Sequence, residues 1–461
     1  MRVLLISHPR EGSAKPDFPP IGVAYLGAVA KQAGHTVKII DGGLNSVREI
    51  VPKALSFAPD FVGITCWTIT RGTVWDLCDQ IRRVLPRALL VLGGSHPTYC
   101  PKDALQRSGA TALVIGEGEK TFEELLKAIE SGSDLQTVAG LALPEPKGSV
   151  MLTARRDGLK NLDEYPLPDY ELIEDFDLSK YAGLPNIIGP TSVIISSRGC
   201  VYDCTFCGSV EFWGRKWVYR SAQNVLDEIE RHITKLGAKS IFFYDDNLPV
   251  RKERMREICR GIIQKGWGIQ WACCSHVNMV DFELLKLMRE SGCVRIDFGV
   301  ESGSDKILAN VKKKQKRADI IQTFNDAHRA GILPRAFLMV GNQGENEGTI
   351  DETISLIKEI QPHASIGSTI VWLLPGTQDY NHAIATGHLS ANYWELNRDA
   401  IPYNLQEHSL EKLQQLRDRL MWGIARSKGG VIPIASYLMR RVWYRNQWLA
   451  RFRHLIPARL R

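Results

Sequence analysis

The sequence predicts an α/β protein: a doubly wound N-terminal domain, then a partial α/β barrel of six strand-helix units, then a helical C-terminal region. Three observations carry this expectation. β-rich apolar runs alternate with helical patterns from residue 1 to about 130, a second alternation starts at Thr191, and strand patterns stop beyond Leu374-Pro375-Gly376-Thr377. With 461 residues, 44% apolar and 24% charged, the chain can bury two or three cores of ordinary size, and its composition excludes a disordered chain, a collagen-like repeat and a small disulfide scaffold.

In the first series, strands are expected at residues 3–7, 36–40, 61–65, 89–92 and 112–115, with helices at 21–33, 47–57, 74–85, 103–108 and 119–130. A parallel sheet covered on both faces binds its ligand beyond the carboxyl ends of its strands. There the chain reads Ser7-His8-Pro9, Thr65-Cys66-Trp67-Thr68, Gly93-Gly94-Ser95-His96-Pro97-Thr98 and Gly116-Glu117-Gly118-Glu119. Glycines at such ends let backbone approach a large planar or phosphate-bearing ligand closely, which makes Thr65, Gly93, Gly94, Gly116, Glu117 and Gly118 candidate contacts. A hairpin over 138–143 and 150–153 closes this domain at about residue 150. Residues 151–190, rich in Pro, Asp and Tyr and without periodicity, read as a linker.

The second series predicts strands at 192–197, 240–244, 269–272, 295–299, 335–340 and 365–371, and helices at 222–236, 252–264, 282–291, 319–330 and 349–360. This is a partial barrel over 191–375, with chemistry expected at the C-terminal strand ends. Residues 376–461 form the helical remainder.

Directly after the first barrel strand comes Ser197-Arg198-Gly199-Cys200-Val201-Tyr202-Asp203-Cys204-Thr205-Phe206-Cys207-Gly208. Three thiolates on one glycine-flanked loop can ligate three irons of a 4Fe-4S cluster and leave the fourth open. Zinc is the inorganic alternative, but it wants four protein ligands, or three and water, and no fourth Cys or His lies close in sequence.

This loop resembles that of the radical S-adenosylmethionine (radical SAM) superfamily, in which an aromatic residue before the third cysteine, here Phe206, packs near the adenine. Tyr244-Asp245-Asp246-Asn247, Gly299-Val300-Glu301-Ser302-Gly303-Ser304 and Gly341-Asn342-Gln343-Gly344-Glu345, each at an expected strand end, resemble the same family. The resemblance implies that Cys200, Cys204 and Cys207 hold the cluster, that Asp245, Glu301 and Ser302 lie near the ribose and methionine parts of S-adenosylmethionine, and that Gly341 lies near the adenine. The N-terminal pattern, from Pro19-Pro20-Ile21-Gly22 to Gly116-Glu117-Gly118-Glu119, resembles the Rossmann-like cobalamin-binding domain fused to many radical SAM enzymes. No Asp-x-His-x-x-Gly occurs, so cobalamin is expected base-off with no His ligand. What the resemblance implies is methylation of an unactivated carbon through methylcobalamin and a 5′-deoxyadenosyl radical, fed by an external donor of flavodoxin or ferredoxin type. Oxidative cyclisation or ring rearrangement, a tRNA methylthiotransferase and a non-enzymatic cobalamin-binding sensor are the alternatives.

Other candidates have plainer readings. Cys273, Cys274 and Cys293 invite a second cluster but are irregularly spaced, and buried thiols are common. Cys66, Cys78, Cys100 and Cys259 read as structural, and His8 and His96 as satisfied loop histidines. Trp67 suits either packing or the cobalamin face.

The formal net charge of +7 has one source: residues 440–461 contain seven Arg and no acid, so the rest of the chain is formally neutral. With Trp443, Tyr444 and Trp448 interspersed, this stretch reads as a solvated packed helix or as an interfacial helix on anionic lipid; nucleic acid is the less favoured partner. With neither a membrane-length apolar run nor a leader pattern, the chain reads as cytoplasmic, with a peripheral position at the inner membrane surface open to it.

Overall fold

The computed structural model describes residues 1–9, 12, 14–396 and 401–427. The N-terminal domain runs β1 (Arg2–Ile6), α1 (Ile21–Gln32), β2 (Thr36–Ile40), α2 (Val47–Phe57), β3 (Phe61–Thr65), α3 (Arg71–Val84), β4 (Leu89–Gly93), α4 (Ser95–Tyr99), α5 (Pro101–Ser108), β5 (Ala112–Val114), α6 (Glu119–Ser131), β6 (Leu141–Pro144) and β7 (Val150–Leu152). These strands make a seven-stranded sheet in the order β2-β1-β3-β4-β5-β6-β7. The first five are parallel, and the expected hairpin adds β6 and β7 antiparallel at one edge. Helices cover both faces, so β1 has no polar side: Val3, Leu4, Leu5 and Ile6 are all buried.

The second domain continues with β8 (Thr191–Ile194), β9 (Ser197–Arg198), α7 (Ser209–Trp213), β10 (Val218–Tyr219), α8 (Ala222–Leu236), β11 (Ser240–Phe243), α9 (Lys252–Lys265), β12 (Gln270–Ser275), α10 (Phe282–Glu290), β13 (Cys293–Glu301), α11 (Asp305–Asn310), α12 (Arg317–Arg329), β14 (Leu333–Val340), α13 (Glu347–Ile360) and β15 (Ala364–Ile370). Its six-stranded sheet has the order β8-β11-β12-β13-β14-β15, every neighbouring pair parallel. Sequential strands joined by helices on one side curve into an open half-barrel. Three further helices follow among the described residues: α14 (Gln378–Ala385), α15 (Tyr393–Leu396) and α16 (Leu410–Ser427). Leu413, Leu416, Leu420 and Ile424 form a buried stripe by which α16 joins the barrel core.

Two departures from the sequence expectation shape the site. The strand expected over 192–197 ends at Ile194. The buried Asp245 carboxylate captures the next turn, accepting from Ser196 N at 2.8 Å, Ser196 Oγ at 2.7 Å and Ser197 Oγ at 2.5 Å. The chain is thereby lifted off the sheet, and β9 pairs instead with β10. The expected linker, for its part, is a packed wedge. Its short turns are headed by Asp169 and Asp177, which accept from Glu171 N and Ser179 N. Tyr170 and Tyr181 are buried and tie both domains, Tyr170 OH donating to Val193 O at 3.2 Å and Tyr181 OH to Asp41 Oδ2 at 2.8 Å.

Candidate active site between the two domains

A cavity of about 710 Å³ lies between the carboxyl ends of the two sheets. Its N-terminal wall contains all six candidate contacts, Thr65, Gly93, Gly94, Gly116, Glu117 and Gly118, together with Trp67; its barrel wall contains Phe206, Cys207, Trp213, Tyr244 and Asp246. The glycine wall is open where a ligand needs it: a Cβ at Gly116 would meet nothing within 4 Å, and one at Gly93 nothing nearer than 3.7 Å. Gly94, at φ +110°, passes so close to Cys66 that a Cβ would stand 2.7 Å from its carbonyl oxygen.

Cys200, Cys204 and Cys207 come together on the loop after β9. They lie within range of one another's charge: Cys204 is pushed up to about 12, chiefly by burial, with the Lys313 charge opposing the rise and Cys207, Glu301 and Cys200 contributing to it. Burial likewise raises Cys200 and Cys207. Thiolates in such a place need positive compensation, which bound iron and the buried Lys313 ammonium both provide. The Asn247 amide, a buried donor otherwise unpartnered, faces the Cys200 sulfur. Among the described residues no three Cys, His, Asp or Glu stand close enough to share one metal ion. Three thiolates with no fourth Cys or His close in sequence fit a cubane, in which each cysteine would hold its own iron, better than a mononuclear zinc site. Tyr202, between the first two cysteines, stacks on His276 with ring centroids 3.9 Å apart.

Glu301 ends β13 in the left-handed region at φ +64°, at a register shift against β14. A non-glycine residue held there is strained, and such strain clusters at functional positions. Its carboxylate accepts from Lys313 Nζ at 2.8 Å, and the same ammonium lies 5.8 Å from the centre of the Phe206 ring. A carboxylate and an ammonium side by side beside the cluster loop complement the zwitterionic end of an amino acid.

The remaining sequence candidates sit elsewhere. Asp245 is spent on Ser196 and Ser197, and Asp246, one residue on, brings a carboxylate to the barrel wall of the cavity, accepting from Gly199 N and Ser209 Oγ, both at 3.1 Å. Ser302 is buried against Thr353 Oγ1 at 3.3 Å. Gly341, at φ +98°, lines a separate crevice, with its N–H donated to Glu345. Burial raises Glu345 to about 7.

The other histidines and cysteines are placed as follows, with Cys274 half-buried at the end of β12. His96 is fully buried between Asp103 Oδ2, 2.8 Å from Nε2, and Thr68 Oγ1, 3.3 Å from Nδ1. Cys66, Cys78, Cys259, Cys273 and Cys293 are core residues, and Cys100 is half-buried. His8 packs against Trp67, the ring centroids 4.2 Å apart and the planes tilted by 33°. Lys313, Asp246 and Arg198 were not singled out from sequence. Lys313 is hidden in the run Lys312-Lys313-Lys314; the other two adjoin chosen motif residues.

A doubly wound domain with a glycine-lined mouth, set against a half-barrel with a three-cysteine loop at its rim, defines an enzyme that brings two cofactors to one cavity. Comparison with known proteins agrees. The B12 binding domain model matches residues 10–126, and the radical SAM superfamily model matches 194–357. An uncharacterised methyltransferase of Pyrococcus horikoshii is 32% identical over 405 residues, covering 86% of this chain and 85% of that protein. An anaerobic magnesium-protoporphyrin IX monomethyl ester cyclase of Rubrivivax gelatinosus is 29% identical over 385 residues, 78% of this chain and 66% of its own length. The solved structure of the radical SAM methyltransferase TsrM from Kitasatospora setae, with cobalamin and a [4Fe-4S] cluster bound, superposes with a TM-score of 0.69 at 20% identity, covering 82% of this chain and 76% of that one. The chain belongs to the cobalamin-binding radical SAM enzymes, whose cofactors are cobalamin, a 4Fe-4S cluster and S-adenosylmethionine.

Proposed function

We propose that this enzyme transfers a methyl group to an unactivated carbon of a small-molecule or lipid-like substrate. The observation that carries this reading is the cavity that joins the glycine strand ends to Phe206 and Cys207, so that two cofactors and a substrate would share one largely apolar space. When bound, the cluster with S-adenosylmethionine supplies a carbon-centred radical and cobalamin supplies a transferable methyl group. Cys200, Cys204 and Cys207 would hold three irons. Glu301 and Asp246 are the acids available to the methionine ammonium, Lys313 is the cation available to its carboxylate, and Phe206 packs on the adenine. Thr65 and the glycines of the N-terminal wall admit the corrin. Cobalamin would be held base-off without a protein His, as the sequence, with no Asp-x-His-x-x-Gly, leads one to expect. An external flavodoxin- or ferredoxin-type protein would deliver the electron. The basic stretch 440–461, outside the described residues, would hold the enzyme at an anionic membrane surface.

Anaerobic incubation of the reconstituted enzyme with S-adenosylmethionine, a reductant and candidate substrates tests the reading. Methyl transfer requires both 5′-deoxyadenosine and S-adenosylhomocysteine. The cyclase relative favours one second reading, oxidative cyclisation: 5′-deoxyadenosine with no S-adenosylhomocysteine would support it.

A further inference from the structure

The loop carrying the cluster cysteines is fastened to the cobalamin-binding domain at both ends. Before it, Arg198 reaches back across the domain boundary: Nη1 donates to Glu117 Oε1 at 3.0 Å and Nη2 to Glu119. All three side chains are largely buried. Glu117 is held from its other side, accepting from Leu159 N at 2.6 Å. After the loop, Tyr99 of α4 donates its hydroxyl to Gly208 O at 3.1 Å. Its ring lies flat on Gly376, where a Cβ would stand 2.3 Å from the ring. Tyr99 and Glu117 extend from the same strand-end segments whose glycines wall the cavity. Their polar groups turn toward the cluster loop.

We propose that Arg198 and Tyr99 are positioning residues that couple the two cofactor sites. Cobalamin seated on the strand-end segments fixes the anchors of the cluster loop, and the assembled cluster, by fixing that loop, tightens cobalamin binding. The coupling is reciprocal, as any linkage between two binding equilibria must be. It rests on the two-cofactor reading of the cavity.

The test titrates hydroxocobalamin against the full-length protein, with and without a reconstituted cluster, followed by visible absorbance. The converse experiment follows iron loss to a chelator with and without cobalamin. The wild type is expected to bind cobalamin about tenfold more tightly when the cluster is present, a coupling of about 1.4 kcal/mol, and to lose iron more slowly when cobalamin is present. Arg198→Gln should reduce that ratio to about twofold or less, and Arg198→Lys, which keeps the charge without the two-pronged geometry, should restore part of it. Tyr99→Phe removes one hydroxyl and leaves the ion pairs intact, so it reports on the coupling even if Arg198→Gln folds poorly; it should also lower the ratio. Affinities independent of the cluster in the wild type, or a full ratio in both Arg198→Gln and Tyr99→Phe, would overturn the proposal. A chain that takes up iron but no cobalamin would overturn the reading beneath it as well.

Discussion

Lys313 Nζ lies 2.8 Å from Glu301 Oε1, and the pair closes directly over Gly299, where a Cβ would stand 2.5 Å from Nζ and 2.6 Å from the Glu301 carboxylate. The glycine of this strand-end motif is thus required for the space it leaves. Gly299→Ala should push the pair apart with little change in the strand itself. Lys313→Met should do more, because it leaves a buried carboxylate without its cation, at a cost of about 3 kcal/mol. Both variants should bind S-adenosylmethionine at least about tenfold more weakly once the cluster is reconstituted. Equilibrium dialysis with labelled S-adenosylmethionine checks the affinity, and thermal unfolding checks the stability.

The cysteines include one loop that would carry iron and five, Cys66, Cys78, Cys259, Cys273 and Cys293, that pack the core. Reconstituted wild-type protein should hold about four irons per chain. Cys200→Ala, Cys204→Ala and Cys207→Ala should each lose most of them and form no 5′-deoxyadenosine. Cys273→Ala and Cys293→Ala remove fully buried thiols and should keep four irons while losing about 1 kcal/mol of stability to the cavity left behind. About eight irons in the wild type would instead point to an auxiliary cluster.

His276 makes the cluster loop sensitive to acid. Its Nε2 is 2.8 Å from Lys313 O and must donate, while Nδ1 accepts from Asn278 N at 3.1 Å. The ring is therefore neutral, in a single tautomer, against Tyr202. Burial pushes its pKa down to about 4, the Lys313 charge adding to that and Asp319 opposing it. With an unfolded value near 6.5, the native state binds fewer protons than the unfolded chain between those limits. Stability present in full above about pH 6.5 is thus lost as pH falls toward 4, at up to about 1.4 kcal/mol per unit. His276→Gln should flatten the fall of melting temperature between pH 6.5 and 4.5, and slow the acid-promoted loss of iron.

Much of this architecture was legible because parallel strands buried on both faces give uninterrupted apolar runs, and glycine at their ends has few other uses. Val3 to Ile6 and Phe61 to Ile64 are examples. The cysteine loop was legible from spacing. What escaped were features that depend on which of two neighbours turns inward. Asp245 and Asp246 are equivalent on paper, yet only the second reaches the cavity, because the first holds down Ser196 and Ser197. The wedge at 151–190 has no periodicity to read, since it packs by single residues such as Tyr170 and Tyr181. Arg198 pairs with Glu117 and Glu119 about eighty positions away, and local pattern carries no trace of such a contact.

The net charge leads to the last prediction. The helix that ends the described residues, α16, is fixed to the barrel through Leu413, Leu416 and Leu420. Seven arginines without an acid in residues 440–461 give an attraction to anionic lipid of about 1 kcal/mol for each arginine near the surface, within a Debye length. Deleting 440–461 should leave iron content, cobalamin binding and melting temperature within error of the wild type. Sedimentation with vesicles rich in anionic lipid should fall at least about tenfold, and the binding of the full chain should weaken steeply as salt is raised from 50 to 300 mM, roughly as screening dictates. Equal sedimentation of the truncated and full chains would remove the membrane role from these arginines.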